Sequence, residues 1–320
     1  HINGAKLSTW YLWFSKTYAM MMDAENKEGM NEKIGLFLLI GLMGLGMILG
    51  SSITLLIWKF NGGEGLADLQ LALSNPSQVG FIRISQTILA ACTFFLPAWA
   101  AIRIINKKPF NYIGFYQKLD VQTVIWGCVL MGLTILLSGS LATLNELIPL
   151  SESLKIKATS MEDAYMRQVE LMSIMNGFGD LLLSLVVMAF APAVFEEVFF
   201  RGGFQNMMFR ATGKMWVSIL ITSLLFSAIH FSFYGFLSRV ALSIVLGLLY
   251  AYSKSIWLVI ITHFLNNAMG VIQIYYLRLN GLPLSVSQDD KYPIWWGFIA
   301  IIALVYLFKY FKRSTDAIRS

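Results

Sequence analysis

Two adjacent glutamates and an arginine, Glu196, Glu197 and Arg201, interrupt a run from Leu181 to Phe200 that carries no other charge. An ionisable group at bilayer depth costs roughly 2.5–3.5 kcal/mol on insertion scales. Three within six residues therefore mark a site that has a use for them. In a helix Glu197 and Arg201 are four apart with the acid first, the better orientation for an ion pair. Glu196 then lies about 100° around the helix, free to face another group. Two further polar intrusions complete the set. Phe226 and His230 lie in the next apolar segment, and His263 and Asn267 lie four apart in a later one, on one helix face. Apart from His1 these are the only histidines, and the pattern places both in apolar helices.

A buried carboxylate and a neutral imidazole around one water make a general-base pair. A second imidazole, with an asparagine one turn along, can donate hydrogen bonds to the oxyanion that forms on a peptide carbonyl. Together these groups hydrolyse an amide without a covalent intermediate. No G-x-S-x-G serine or H-E-x-x-H zinc motif competes. No cofactor is expected, although Glu196, His230 and His263 would also be a legitimate zinc set of two histidines and one carboxylate. Taken singly, a Glu–Arg pair can simply join helices and a membrane histidine can simply pack. The coincidence of all three clusters is what points to chemistry.

The elements that position these residues must be membrane helices. Hydrophobic residues make up 57% of the 320 and charged ones only 13%, against about 25% charged in soluble domains. Spanning barrels show short alternating segments, which are absent. The fold class is all-α, a polytopic membrane protein of about eight transmembrane helices with an intramembrane polar site. The expected spans are 34–58, 85–105, 121–147, 180 to about 210, 216–236, 237–252, 256–277 and 293–311. The first is rich in glycine, which allows close helix packing. The sixth is short and holds Arg239 near one end.

The net charge of +6 belongs to loops and is no nucleic-acid footprint. With both termini inside, the inner segments carry 15 Lys and Arg and the outer ones 8, which predicts cytoplasmic termini. The expected location is the cytoplasmic membrane of a prokaryote, with lipid and other membrane proteins as neighbours. Cys92 and Cys128 lie in apolar segments and read as packing residues.

Along the chain, residues 1–33 form an N-terminal segment with an interfacial Trp10–Phe14 stretch. Residues 34–147 hold the first spans, 148–179 a connection, 180–278 the core helices with the three clusters, and 279–320 the last span and a basic tail. In the connection, Ser160 and Asp163 resemble a capping box, and Met161, Tyr165, Val169, Met172 and Ile174 recur near helical spacing. This predicts an amphipathic helix that lies on the membrane surface or, alternatively, over the cavity as a lid. The turn signal Ala211–Lys214 sets the depth of the first two clusters. Glu196 lies 17 residues before Gly213 and His230 lies 17 after it, so in an antiparallel hairpin both stand about 25 Å from the turn.

At these residues the chain resembles the CAAX prenyl protease and bacteriocin-processing family of intramembrane glutamic endopeptidases. Glu196-Glu197-x-x-x-Arg201, Phe226-x-x-x-His230 and His263-x-x-x-Asn267 match its three motifs in order, over about residues 180–268. The resemblance implies an eight-helix fold and a membrane-embedded or lipidated peptide substrate. It implies that Glu196 and His230 activate the water and that His263 and Asn267 form the oxyanion hole. Glu197 and Arg201, with Phe226, support the site. A zinc-dependent protease using the same residues, and a catalytically silent membrane partner or immunity protein on this scaffold, are the competing readings. The amino-terminal half matches no motif, so substrate choice is not inherited.

Overall fold

The computed structural model describes residues 32–284 and 292–319; the interfacial stretch expected at 10–14 lies outside them. The described residues are helical, with no strand among them. In chain order the elements are α1 (Glu32–Phe60), α2 (Leu66–Leu73), α3 (Pro76–Ile105), α4 (Pro109–Ile113), α5 (Val121–Glu146), α6 (Glu152–Met172), α7 (Phe178–Thr212), α8 (Met215–Ala228), α9 (Phe236–Ser253), α10 (Ile256–Leu279) and α11 (Ile294–Arg319). Seven of these are long and apolar enough to cross a bilayer: α1, α3, α5, α7, α9, α10 and α11.

The fifth expected span, 216–236, is realised only as α8, 14 residues from Met215 to Ala228. At 1.5 Å per residue that is about 21 Å, short of the ~30 Å hydrocarbon core. The helix stops early because the chain turns at Ile229–Gly235, where Phe231 takes a left-handed conformation (φ 50°) and Ser227 Oγ donates to the Phe236 carbonyl at 2.8 Å. His230 consequently sits just beyond a helix end and not within a helix, a correction to the sequence reading. His263 lies inside α10 as expected.

Two helices needed local widening. Pro97 in α3 follows a π-helical turn at Ala91–Phe95, and Pro192 in α7 follows another at Leu185–Phe190. A helical proline removes one backbone donor and its ring presses on the carbonyl four residues back. That carbonyl belongs to Thr93 and to Met188, both inside the widened turns. A third π-helical stretch, Val198–Gln205, begins directly after Glu197 and contains Arg201, and all eight of its residues are buried.

The glycines of α1 divide into two kinds. Gly46 and Gly50 are buried against Cys92 and Leu89 of α3, and a β-carbon on Gly46 would run into the Cys92 carbonyl oxygen. Gly41 and Gly44 face open space. Close backbone contact therefore holds α1 to the widened turn of α3. Elsewhere α5 packs against α9, α10 and α11, and α7 against α10 and α3. One core joins Leu39, Ile102, Leu130, Phe200, Phe226 and Leu258 across these helices.

Short polar contacts fix the helix ends. Asp120 caps α5 by accepting from Thr123 N at 2.8 Å, and its hydrogen bonds with the Thr123 side chain and backbone hold its carboxyl below the usual range. Tyr250 Oη donates to the Ile113 carbonyl at 2.9 Å, tying α4 to the end of α9. Arg83, counted above among loop cations, is instead buried. Its guanidinium donates to the Met172 and Ile174 carbonyls at 3.1 and 2.8 Å and to Ser184 Oγ at 2.9 Å, joining the end of α6 to α7. Helix α6 itself begins at Glu152 after Ser151, so Ser160 and Asp163 lie in its interior and cap nothing. Its inward stripe is Ala158, Glu162, Tyr165 and Val169, whereas Met161 is exposed.

The glycine contact yields a test. Overpacking a close contact costs typically 1–3 kcal/mol, so Gly46→Val should lower the melting temperature in detergent by several degrees. Gly41→Val, which meets open space, should melt with the parent.

Candidate active site

Glu196, Glu197 and Arg201 arrive on the second half of α7, where the α-helical segment Ala191–Glu197 passes into the π-helical one. Glu197 is fully buried, and so is Arg201. Arg201 Nη1 donates to Glu197 Oε1 at 2.7 Å, the ion pair that the four-residue spacing predicts. The Arg201 Nη2 group donates to Ser243 of α9, at 2.8 Å to its Oγ and 3.1 Å to its carbonyl. One guanidinium thus ties α7 to α9 while pairing with Oε1 of the acid beside it.

The same Glu197 oxygen has a second partner. His263 Nδ1 lies 2.7 Å from Oε1 and, facing a carboxylate, must be the donor. Its other nitrogen, Nε2, faces Glu196 Oε2 at 4.0 Å. That separation is too long for a direct hydrogen bond and is the span one bridging water covers. Glu196 is the more open acid, with its side chain 14% exposed against 0% for Glu197. Reading outward, the arrangement is Arg201, Glu197, His263 and then the gap to Glu196. A charged relay on one side thereby fixes the imidazole that faces the accessible carboxylate.

Phe226 gathers the second cluster. Its ring stands 5.0 Å from the His230 ring, 5.8 Å from the His263 ring and 5.2 Å from Phe200, with Arg201 Cζ 5.0 Å from its centroid. The two histidines therefore both stand against one buried aromatic ring. His230 Nδ1 lies 2.7 Å from the Phe226 carbonyl. A carbonyl only accepts, so this nitrogen carries the proton and Nε2 of the neutral ring is the basic one.

Asn267 follows His263 one turn along α10 and is half-buried. Its Oδ1 accepts from Asn266 Nδ2 at 3.1 Å, which leaves its own amide protons to donate elsewhere. Glu196, Glu197, Arg201, Phe226, His230 and His263 are thus joined by one continuous set of contacts, and Asn267 lies one turn beyond His263 on α10. Among the described residues no group of three His, Cys, Asp or Glu is placed to hold a metal ion, while a carboxylate bond at one nitrogen of a histidine is compatible with ligation through the other.

Two contributors escaped the sequence reading. Ser243 anchors Arg201, and its only sequence signal is polarity in an apolar span. Ser232 follows His230 by two residues and donates to Glu162 of α6 at 2.8 Å.

Residues 178–269 match the family described as Type II CAAX prenyl endopeptidase Rce1-like. The matched segment begins with α7 and ends just beyond Asn267, so it encloses all three clusters and agrees with the resemblance read from their motifs. That family is one of proteases, and the match supports an intramembrane protease of CAAX type. No curated protein and no solved structure matches the chain.

The buried relay makes a stability claim. Removing one partner of a buried pair costs roughly 3–5 kcal/mol, because the other charge stays behind unpaired. Arg201→Ala should therefore lower the melting temperature in detergent markedly. Replacing Glu197 and Arg201 together by Gln and Met should restore much of the loss without restoring turnover. If Arg201→Ala melts like the parent, the pair is not a structural support.

Proposed function

We propose that the protein is an intramembrane endopeptidase that hydrolyses a peptide bond with water activated by Glu196 and His230. The observation that carries this reading is the paired arrangement of accessible and buried acids around His263. Glu197 is consumed by Arg201 and by His263 Nδ1, while Glu196 faces His263 Nε2 at 4.0 Å and remains free to act on water.

In this mechanism Glu196 accepts a proton from the water, which His230 Nε2 helps to orient. The water oxygen adds to the carbonyl carbon of the substrate. Asn267 Nδ2 and His263 Nε2 meet the oxygen that becomes negative. Because Nδ1–H is committed to Glu197, His263 can donate through Nε2 only as the imidazolium, its charge balanced by Glu196 and, once Glu196 holds the proton, by the oxyanion. The proton held by Glu196 then passes to the amine nitrogen as the carbon–nitrogen bond breaks. Both products leave, and no bond to the protein is formed at any step.

The substrate class is a membrane-embedded or lipidated peptide, and the chemistry needs no metal. A suitable probe is an internally quenched peptide ending in a prenylated C-a-a-X sequence, presented in detergent micelles. Positioned base catalysis contributes 10²–10⁴-fold, so Glu196→Gln and His230→Ala should each lose at least about 100-fold in kcat while melting with the parent. Near-parental turnover by Glu196→Gln would refute the assignment. Turnover should also survive extensive dialysis against a chelator. Loss of activity with stoichiometric release of zinc, restored by re-addition, would favour the metal reading instead. A silent scaffold protein would cleave nothing in either case.

A further inference from the structure

Arg239 is the lone basic residue of α9, and it stands in the first turn of that helix. A cation there opposes the helix dipole, which favours acids at an N-terminus. The side chain is half-buried; its bond to Ser232, two residues after His230, ties it to the loop that carries that histidine, and its charge acts on both Glu196 and His230. The surrounding structure holds it in place at some expense. Nη1 donates to Ser232 Oγ at 3.1 Å, and the guanidinium lies over the Tyr165 ring of α6, Cζ to centroid 5.0 Å. Ser232 in turn donates to Glu162 of the same helix at 2.8 Å.

Gly235 supplies an independent sign that this pose is built. The guanidinium folds back over the start of its own helix and occupies the space that a β-carbon at position 235 would fill. An ordinary residue there would push the charge away from the site while leaving it on the protein.

We propose that Arg239 is a further positioning residue of the active site, a fixed cation that acts through Glu196 and His230. The proposal rests on the catalytic reading above. A neighbouring positive charge favours an ionised carboxylate and an uncharged imidazole, the two states that water activation requires. It also lowers the free energy of the negative charge that develops on the substrate carbonyl. The other charges at the site are Glu196, Glu197, Arg201, His263 and, bonded to Ser232, Glu162; Arg201 is already neutralised by Glu197. Arg239 therefore supplies the positive field on the His230 side. Helix α6 contributes Tyr165 and Glu162 to hold it, which gives the amphipathic helix a part in catalysis without contact with substrate.

Steady-state cleavage of the quenched prenylated peptide tests this with four variants. Arg239→Ala should lose about 10–100-fold in kcat, less than or equal to the loss of a contacting donor, with KM little changed. Arg239→Lys keeps the charge and should recover most of the rate. Gly235→Ala, which displaces the guanidinium without removing it, should fall toward Arg239→Ala while melting with the parent. Glu196→Gln runs alongside as the control. Parental kcat for Arg239→Ala beside an inactive Glu196→Gln overturns the proposal and leaves the catalytic reading standing. Equal losses in Arg239→Ala and Arg239→Lys, accompanied by lower melting temperatures in both, also overturn it, since that is the pattern of a structural role. An active Glu196→Gln removes the premise itself.

Discussion

One carboxylate oxygen carries the arrangement. Glu197 Oε1 receives Arg201 and His263 at 2.7 Å each, in a place from which water is excluded. A charge so buried is tolerable only with its partners in position, so the three helices that supply them, α7, α9 through Ser243, and α10, are held in a single relation. The orientation of His263 follows from that bond, and its second nitrogen is thereby aimed at Glu196. The exposed acid is free because the buried one is occupied. Removing the relay would loosen the bundle and disorient the imidazole together, so stability and chemistry share one support.

The backbone of α7 serves the same end by an irregular route. Regular α-geometry would repeat the acidic face every turn, yet the helix widens before Pro192 and again after Glu197. Each inserted turn rotates the following residues relative to the preceding ones, and π-bulges of this kind concentrate at functional sites. The second widening buries every side chain from Val198 to Gln205, so both sides of the helix here face protein. Phe200 and Phe226 fill the resulting space edge to face, and the ring of Phe226 becomes the common wall of the two histidine sites.

Much of this was legible in the residues. Charges in apolar runs marked residues that the fold brings together, the four-residue spacing of Glu197 and Arg201 named their bond, and the turn at Gly213 predicted matching depths for Glu196 and His230. Gly213 indeed closes α7 in a left-handed conformation. The second role of Glu197 was not legible, because its partner His263 is 66 residues away and helical spacing speaks only for neighbours in sequence. Hydropathy also carried the fifth expected span through His230, since Ile229, Phe231 and Phe233 are apolar. Backbone conformation at Phe231 decided otherwise. The glycine-rich character of α1 predicted close contact, but only packing distinguishes Gly46 from Gly41. Arg83 looked like a loop charge and Arg239 like a span-end one; one clamps carbonyls in the interior and the other bonds to the loop that follows His230.

The shortness of α8 has a consequence for the lipid around it. A hydrophobic stretch below the thickness of the bilayer is accommodated by local thinning, at fractions of a kcal/mol per ångström of mismatch. With α8 about 9 Å short of a 30 Å core, such thinning would bring the headgroup layer toward Ile229–Gly235, the loop that follows His230. Water then has a shorter path to the carboxylate it must meet. A peptide approaching from the same side sheds its lipid contacts earlier and can expose a backbone carbonyl without crossing the full hydrocarbon layer. Membrane thickness thus becomes a variable of the reaction: thicker bilayers deepen the mismatch at α8 and raise the elastic cost of keeping that entrance open.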